Sequence, residues 1–504
     1  MRSILEYLER TGERLPDRIA VDDDRRQISY ETLIGEGKAI GSALATLGII
    51  KKPVAVFLPK SCECVAAFMG VAYSGGFYCP IDVAMPTERV EHIFGVLQPA
   101  AIITNSKYSS IIENMGISCE LLLFDELINK QVDYEVLTQI RQDALDTDPL
   151  YAIFTSGSTG IPKGVLISHK SVIDFMSCLD NGKFVQEDDV IGNQGNLYFD
   201  LSVYDLYGAI ATGATVVFIP KRKFLFPVDL IKYLNEKRIT QINWVPSAIV
   251  NVANLKALEV VLPSYLKKVV FCGEIMPNKQ LNIWKKALPE VEYINFYGPT
   301  EIVYACTYFR VDREFRDDES LPIGNPFENT RILVLNEQNE LVSDGEAGEL
   351  CVAGTCLALG YYNNPNKTKE VFVQNPLNTA YEEKIYRTGD LVKYNEYGEL
   401  MYLSRKDFQI KHLGHRIELG EIETATGDIQ EIENCACVYN DDEQEIVMCY
   451  TGTKMNPHTI SDHLKAKIPF YMIPGRYIFY ENMPYNINGK IDRLELKKGI
   501  LAKG

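Results

Sequence analysis

Short runs of β-branched and apolar residues alternate with helical patterns through the first half of the chain. Strand-sized runs lie at PVAVFLP (53–59), AAIITN (100–105), ATVVFIP (214–220) and QINWVP (241–246). Amphipathic segments such as KSCECVAAFMGVAYSGG and FPVDLIKYLNEKRI separate them. This alternation predicts βαβ units and a mainly parallel sheet.

The pattern changes near residue 328. TRILVLNEQNELV and GDLVKYNEYGELMYLS predict hairpins with turns at NEQN and NEYG. After SRKDFQIKHLGHR, helical and strand patterns predict a helix (418–431), strands (434–451) and a second helix (459–467). A domain boundary is therefore predicted near residues 405 to 407.

These patterns predict an α/β protein with two domains. Residues 1–405 form a large N-terminal domain of parallel αβ layers, which contains a β-rich subdomain at about 328–403. Residues 406–504 are expected to form a small α+β C-terminal domain. Segments of both periodicities, joined by turn residues, are typical of layered α/β proteins.

Charge and composition exclude several classes of protein. The chain has 51 Lys and Arg against 68 Asp and Glu, a formal charge of -17, so binding to duplex nucleic acid by counterion release is not expected. No apolar run approaches the roughly 18 residues of a membrane-spanning helix. The first 18 residues carry charges throughout and predict a helix, not a signal peptide. We expect a cytoplasmic protein without a membrane span.

Twelve cysteines are scattered through mostly apolar segments. The close pairs, Cys62 with Cys64 and Cys435 with Cys437, have one intervening residue, whereas zinc knuckles have two to four. We therefore interpret the cysteines as reduced core residues.

The strongest chemical signal follows an apolar run at residue 154. Glycines that let the backbone approach a ligand, hydroxyl donors and one lysine lie together in TSGSTGIPKG, a combination that suits a phosphate chain. Its spacing is not that of the P-loop. The candidate phosphate-binding residues are Thr155, Ser156, Gly157, Ser158, Thr159, Gly160 and Lys163.

TSGSTGIPKG resembles the phosphate-loop signature of the adenylate-forming superfamily, which includes acyl-CoA synthetases, luciferases and the adenylation domains of nonribosomal peptide synthetases. Further family motifs follow in the expected order across essentially the whole chain. They are SGGFYCPID, YFDLSVYD, NFYGPTE, GELCVAG, YRTGDL, SRKDFQIKHLGHRIELGEIE and NGKIDR. The resemblance implies that a carboxylate attacks the α-phosphate of ATP, and that a thiol then attacks the resulting adenylate.

The resemblance also implies the nucleotide-binding residues. It assigns catalytic roles to Lys490, Glu301, Thr155 and Lys163, and Mg²⁺ binding to Glu301. A tight Thr-Gly-Asp turn is expected to present Asp390, whose two oxygens suit the hydroxyls of a ribose. The remaining ATP-binding or AMP-binding candidates are Asn295, Phe296, Tyr297, Gly298, Thr300 and Arg405.

In the family, a hinge allows the small domain to rotate between two half-reactions. The matching residue is Asp407, and a hinge requires only a few residues that absorb a large backbone change. Ser404 stands where the family usually has glycine.

Asp200 discriminates between substrate classes within the superfamily. A carboxylate facing an apolar pocket is costly unless it pairs with a cation, and amino-acid-activating members place this aspartate opposite the α-ammonium group. Motif alignment gives the remaining pocket residues as Leu201, Tyr204, Asn243, Val270, Cys272, Gly273, Phe296, Tyr304 and Ala305. This wall is bulky and uncharged, which predicts a small neutral amino acid.

Among small amino acids we favour D-alanine, because FDLSVYD and VVFCGEIMPN resemble D-alanine–D-alanyl carrier protein ligases. Resemblance to free-standing peptide-synthetase adenylation domains leaves L-alanine, serine, cysteine and glycine open. The expected partner is a phosphopantetheinylated carrier protein, and we expect a stand-alone enzyme. The alternatives are an acyl- or aryl-CoA synthetase of the superfamily and a non-catalytic nucleotide-binding homologue.

The lysine that matches Lys490 in the family bridges the substrate carboxylate and the α-phosphate. Such a charge stabilises a pentavalent transition state. We therefore expect Lys490→Ala to abolish adenylate formation, measured as pyrophosphate release, and to spare the loading of preformed adenylate. Equal loss of both half-reactions would contradict this role.

Overall fold

The computed structural model describes residues 1–157, 161–180, 183–407, 409–441, 443–485 and 491–501. Its contacts divide the chain into two compact units. The first comprises Met1–Val83, Leu97–Ile153 and Val165–Lys406, and the second comprises Ala84–Val96, Phe154–Gly164 and Asp407–Gly504. The predicted boundaries, 1–405 and 406–504, and the hinge at Asp407 stay predictions.

The helices are α1 Leu5–Arg14, α2 Tyr30–Thr46, α3 Cys62–Tyr73, α4 Thr87–Leu97, α5 Ser109–Asn114, α6 Phe124–Leu127, α7 Tyr134–Gln142, α8 His169–Asp180, α9 Leu201–Thr212, α10 Pro227–Glu236, α11 Pro246–Asn254, α12 Ala257–Val260, α13 Asn278–Ala287, α14 Pro365–Val371, α15 Leu419–Ala425, α16 Pro457–Lys467 and α17 Arg493–Leu501. Among the described residues, 3₁₀ turns lie at Lys221–Leu225, Thr300–Ile302 and Phe470–Met472.

The strands are β1 Ile19–Asp22, β2 Gln27–Ser29, β3 Pro53–Phe57, β4 Phe77–Ile81, β5 Ala101–Thr104, β6 Glu120–Leu123, β7 Pro149–Thr155, β8 Lys163–Ser168, β9 Val190–Asn193, β10 Thr215–Phe218, β11 Gln241–Trp244, β12 Lys268–Cys272, β13 Glu292–Tyr297, β14 Thr307–Arg310, β15 Asn325–Pro326, β16 Thr330–Leu335, β17 Gly348–Gly354, β18 Gly360–Tyr361, β19 Phe372–Gln374, β20 Lys384–Tyr394, β21 Leu400–Arg405, β22 Gln409–His412, β23 His415–Glu418, β24 Ile432–Asn440, β25 Glu445–Gly452 and β26 Arg476–Phe479.

Two large sheets, both mainly parallel, form the framework of the first unit. One has the order β15-β14-β13-β12-β11-β9-β10-β1-β2, and the other has the order β18-β8-β7-β4-β3-β5-β6. In the first sheet, β9 to β13 run parallel and carry Asn243, Val270, Cys272 and Phe296. The parallel strand order confirms the predicted βαβ architecture. The prediction succeeds because parallel strands that are buried on both faces are continuous apolar runs in the sequence.

A separate antiparallel sheet, with the order β16-β17-β20-β19 and with β21 paired to β20, forms the predicted β-rich region. The hairpin of β20 and β21 is confirmed. The other predicted hairpin is present but short: the chain turns at NEQN, the Val342 N–H donates to the Val334 carbonyl at 3.1 Å, and Leu341 makes an isolated antiparallel bridge to Leu335, while β16 pairs along its length with β17.

The prediction of a tight turn that presents Asp390 is wrong. Thr388, Gly389 and Asp390 lie inside β20, where the pairing register with β17 shifts between Glu349 and Cys351. Gly389 has a φ of 75°, which suits glycine and produces a bulge in the strand, not a chain reversal. Asp390 consequently lies in a strand that is paired on both sides, with β17 and with β21.

The second unit has its own small sheet, β24-β25-β26, and a two-stranded hairpin, β22-β23. Its core contains Ala436, Val447, Cys449, Leu496 and Ile500. The helix predicted over 418–431 is shorter, since α15 ends at Ala425. The mixed α/β fold with a smaller C-terminal domain agrees with the predicted class, while the mobility of that domain stays a prediction.

His169 couples the first unit's stability to pH. The imidazole is buried, and its Nδ1 accepts a hydrogen bond from the backbone N–H of Ile4 at 3.3 Å. Burial lowers the pKa of His169 to about 4, against an ordinary value of 6.5. Between these values the unfolded chain binds the proton and the folded chain does not, so acid favours unfolding.

We therefore expect the unfolding free energy at pH 5 to be about 2 kcal/mol lower than at pH 7 through this residue. Urea unfolding of the protein and of His169→Gln at both pH values measures the contribution. The variant should show a correspondingly weaker pH dependence. Equal pH dependence in the two proteins would show that His169 is not responsible.

Candidate active site

The phosphate-loop segment lies in the second unit, packed against residues of β23 and α15. The Ser156 hydroxyl donates to the Arg416 carbonyl at 2.8 Å and accepts from the Glu418 N–H at 3.1 Å. A Cβ on Gly157 would come 1.9 Å from the Ile161 carbonyl oxygen, so the turn requires glycine. Ser158, Thr159 and Gly160, which the sequence also predicts to bind phosphate, lie outside the described residues.

Two carboxylates contact the donors of this loop. The Lys163 ammonium lies 3.4 Å from Glu418, and the Gly157 N–H donates to Glu421 at 3.2 Å. Glu421 is buried in an ion pair with Arg89, and its burial raises its pKa although Arg89 opposes that shift. A phosphate chain at these donors would replace the two carboxylate contacts, because both kinds of acceptor use the same N–H groups.

Thr155 is the last residue of β7. Its Oγ1 is buried and makes no hydrogen bond within the described part of the chain. Buried hydroxyls normally have a partner. This donor is therefore suited to a ligand oxygen, in agreement with the sequence prediction for Thr155, which stays a prediction.

Three of the predicted nucleotide-binding residues meet in the first unit. Arg405 donates to Asp390 at 2.6 Å, and the Tyr297 hydroxyl also donates to Asp390. Asp390 is 2% exposed. The carboxylate is held by one charged and one neutral donor, which fixes the direction of its remaining lone pairs.

Other predicted nucleotide residues lie at the end of β13. Asn295 is buried and donates to the Pro322 carbonyl at 2.8 Å, and Gly298 lies against Tyr304 and Ala305, where a Cβ would clash at 2.5 Å. The 3₁₀ turn that follows carries Thr300 and Glu301.

Glu301 is fully buried and accepts a hydrogen bond from the Tyr361 hydroxyl at 2.7 Å. Sequence reasoning missed Tyr361. It lies on β18, about sixty residues from Glu301 along the chain, and a tyrosine in an apolar segment carries no signal of such a contact. The structure shows that a distant hydroxyl orients the candidate metal-binding carboxylate.

Asp200 connects the nucleotide and amino-acid candidates. It is half-buried immediately before α9, and it accepts a hydrogen bond from the Thr300 hydroxyl at 2.5 Å. The neighbouring residue of Thr300 is Glu301. The two predicted sets of residues therefore adjoin each other in the structure.

The predicted pocket wall is assembled from α9, β11, β12 and β13. The rings of Tyr204, Phe296 and Tyr304 are mutual neighbours, with centroids 5.6 to 6.0 Å apart. The Tyr304 hydroxyl donates to Asn243 Oδ1 at 2.8 Å. Besides these, the buried wall residues are Leu201, Val270, Cys272 and Ala305, and Gly273 is partly exposed.

Cys272 ends β12, and its neighbour across the sheet is Phe296 on β13. All twelve cysteines are free thiols. Within the described residues, no group of three or more His, Cys, Asp or Glu side chains could hold a metal ion, and no helix is both long and apolar enough to cross a membrane.

A family model described as AMP-binding enzyme matches residues 8–362, and one described as AMP-binding enzyme C-terminal domain matches residues 421–490. The chain belongs to the AMP-binding enzyme family. It is an adenylation enzyme of the adenylate-forming superfamily. The nucleotide candidates from Asn295 to Thr300 lie within the larger matched segment, and Asp390 and Arg405 lie between the two matched segments.

This AMP-binding enzyme is similar to parts of peptide synthetases. Tyrocidine synthase 1 of Brevibacillus parabrevis is 33% identical over 500 residues, which cover 98% of this chain and 45% of that protein. Gramicidin S synthase 1 of Brevibacillus brevis is 31% identical over 508 residues, which cover 100% of this chain and 45% of that protein. The chain thus spans less than half the length of either relative.

Solved structures support the fold of the AMP-binding enzyme. The Vibrio cholerae adenylation domain AlmE, in complex with glycyl-adenosine-5'-phosphate, gives a TM-score of 0.85 at 23% identity, over 100% of this chain and 98% of that one. An NRPS protein that contains adenylation and PCP domains gives 0.84 at 21% identity, over 98% and 84% of the two chains.

The contact between Tyr361 and Glu301 generates a test. Tyr361→Phe leaves a buried carboxylate with one donor fewer, which costs about 1 to 3 kcal/mol. We expect kcat/KM for Mg-ATP in pyrophosphate release to fall about tenfold. Tyr362→Phe, the same change at the adjacent residue, is the matched control and should retain activity. A similar loss in both variants would contradict a specific role for Tyr361.

Proposed function

We propose that this enzyme uses ATP to activate a small neutral amino acid as its aminoacyl-adenylate, and then transfers the aminoacyl group to the phosphopantetheine thiol of a carrier protein. The observation that carries this proposal is the position of Asp200, which immediately precedes α9, the helix that bears Leu201 and Tyr204, and whose carboxylate accepts a hydrogen bond from Thr300 in the turn that bears Glu301.

Asp200 suits an α-ammonium group. An ionised carboxylate has about four lone-pair sites, so accepting from Thr300 leaves capacity for further donors. An ammonium group would offset the cost of a carboxylate beside apolar side chains. A fatty acid or aryl acid carries no such cation, so this carboxylate favours an amino acid over the substrates of acyl- or aryl-CoA synthetases.

The pocket wall favours a small side chain. Three large aromatic rings occupy it, and Leu201, Val270 and Cys272 are also buried there. None of the wall residues is charged. D-alanine is the first candidate because of the sequence resemblance, and L-alanine, serine, cysteine and glycine have comparable volumes. A single methylene changes discrimination by only about 1 to 3 kcal/mol.

The role proposed for each nucleotide candidate follows from its own contacts within its unit. In the first unit, Asp390 would accept from the ribose hydroxyls, Arg405 would hold Asp390 and donate to phosphate oxygens, and Tyr297 would stack on the adenine, as the family resemblance implies. In the second unit, Thr155, Lys163 and the loop glycines would donate to phosphate oxygens. The further nucleotide candidate Lys490 lies outside the described residues.

Glu301 fits a hard cation such as Mg²⁺, because it supplies a buried carboxylate oriented by Tyr361. Bound there, Mg²⁺ would neutralise charge on the phosphate chain. Phosphate oxygens and water would be its other ligands, since Mg²⁺ commonly retains several waters. The chain's own task in the first step is to align the amino-acid carboxylate with the α-phosphate and to stabilise the developing charge.

The proposal of a carrier protein as partner rests on the NRPS relatives, and it does not assign a docking surface. The segment LKAKIPFYMIPGRY (464–477) contains Lys465 and Lys467, which are candidates for a basic patch that would receive an acidic carrier protein. In the structure Lys465 pairs with Asp462 at 2.8 Å, and Lys467 pairs with Asp428 at 2.5 Å. These partners reduce the positive charge that either lysine offers to an acidic carrier.

The test is amino-acid-dependent pyrophosphate release with Mg-ATP, across the proteinogenic amino acids, D-alanine and D-serine. We expect a maximum at one small neutral amino acid. Asp200→Ala should lower kcat/KM for it at least about a hundredfold, because the ammonium group loses its charged partner.

Asp229→Ala, which removes an exposed carboxylate of α10, is the control and should retain the activity. A maximum at a large or charged amino acid would contradict the pocket interpretation. Formation of a CoA thioester from a fatty acid, without any response to amino acids, would contradict the proposed function itself.

A further inference from the structure

Behind the pocket wall lie two charged residues that the proposed chemistry does not use. Asp205 is on α9, four residues after Leu201, and it is fully buried. Lys60 follows β3, and its Nζ donates to the carbonyls of Gln194 at 3.2 Å and Gly195 at 3.3 Å. Buried charges are costly unless they are paired and hydrogen-bonded.

The side chain of Asn193 joins these two charges. Its Oδ1 accepts from Lys60 Nζ at 3.0 Å, and its Nδ2 donates to Asp205 Oδ2 at 2.6 Å. Asn193 is the last residue of β9 and is fully buried. The amide orientation is set by chemistry, because Lys60 can only donate and an ionised Asp205 can only accept.

The chain of hydrogen bonds continues into the pocket. The other oxygen of Asp205, Oδ1, accepts from Asn243 Nδ2 at 3.3 Å, and the same Nδ2 donates to the Leu201 carbonyl at 3.3 Å. Both acceptors turn Nδ2 away from Tyr304. Asn243 Oδ1 consequently faces the Tyr304 hydroxyl and accepts from it at 2.8 Å.

We infer that Lys60 and Asp205 are positioning residues for the amino-acid pocket, and that they fix the Tyr304 ring through Asn193 and Asn243. This inference rests on the proposed substrate pocket and names residues outside its wall that determine its shape. Replacement of Asp205 would remove one of the two acceptors that orient the Asn243 amide, and would thereby weaken the hydrogen bond from the Tyr304 hydroxyl to Asn243 Oδ1.

The electrostatic balance supports this role. Burial raises the pKa of Asp205 to about 7, although Asn193, Asn243 and Lys60 oppose the shift, and burial lowers the pKa of Lys60 to about 7, although Asp205 opposes it. Each charge therefore depends on the other. Loss of either one should release the network and not merely remove one contact.

A purely structural pair would give a different result from a positioning pair. Lys237 provides the comparison, because it pairs with the buried Asp22 at 2.9 Å and with Asp24 at 3.6 Å in the same unit, and neither partner is a pocket residue. Lys237→Met should lower the melting temperature and leave the KM for the amino acid unchanged.

The test measures the KM for the preferred amino acid and the KM for ATP separately, by pyrophosphate exchange with the full chain. For Asp205→Leu and Lys60→Met we expect the amino-acid KM to rise about tenfold or more, with the ATP KM changed by less than about twofold. Tyr304→Phe should also raise the amino-acid KM. Addition of Asp205→Leu to Tyr304→Phe should give little further increase, because the two residues act along one path.

An unchanged amino-acid KM in folded Asp205→Leu and Lys60→Met would overturn the inference, as would full additivity with Tyr304→Phe. If Asp205→Leu does not fold, Asp205→Ala decides, since it removes both acceptor oxygens without adding bulk; an unchanged KM there overturns the inference too. A wild-type protein without exchange for any amino acid would overturn the proposed function together with the inference. A wild-type protein that is active with an amino acid, together with variants whose amino-acid KM is unchanged, would overturn the inference alone.

Discussion

Every carboxylate withdrawn from water at this site must be given donors, and that requirement organises the site. Asp390 is held by Arg405 and Tyr297, Glu301 by Tyr361, and Asp200 by Thr300. Arg405 reaches Asp390 across the β20–β21 hairpin, whereas the other pairings join segments 60 or more residues apart in sequence. The donors that stabilise each carboxylate also fix the direction in which it points. The same hydrogen bonds therefore offset the cost of burial and orient the carboxylate for a ligand.

Carboxylates also compete with the ligand in the second unit. Glu418 and Glu421 contact the donors of the phosphate loop, and Arg89 holds Glu421 in place. A nucleoside triphosphate would accept from these donors only after Glu418 and Glu421 no longer contact them. Binding of ATP would therefore exchange one set of anionic acceptors for another.

The sequence predicted the fold class, and it names candidate residues because its motifs are local. NFYGPTE, for example, places several side chains at the end of β13 and in the turn that follows it. The prediction was wrong at YRTGDL, where a turn signal marks a bulge within β20, since glycine suits both conformations. Pairing partners such as Tyr361 could not be found, because they depend on how distant strands meet.

Lys60 and Asp205 were missed for a related reason. A lysine after a strand and an aspartate on a helix are ordinarily exposed, and only the packing of α9 against β9 and β11 encloses them with Asn193 and Asn243.

The location of Lys60 and Asp205 bears on specificity. The aromatic rings limit the volume open to a side chain, but rings that lacked fixed hydroxyls could shift to admit a larger one. A polar network behind the wall makes that shift costly, because displacement of Tyr304 would leave a buried amide without its partner. Selection of a small substrate would then depend on the rigidity of the pocket as well as on its size.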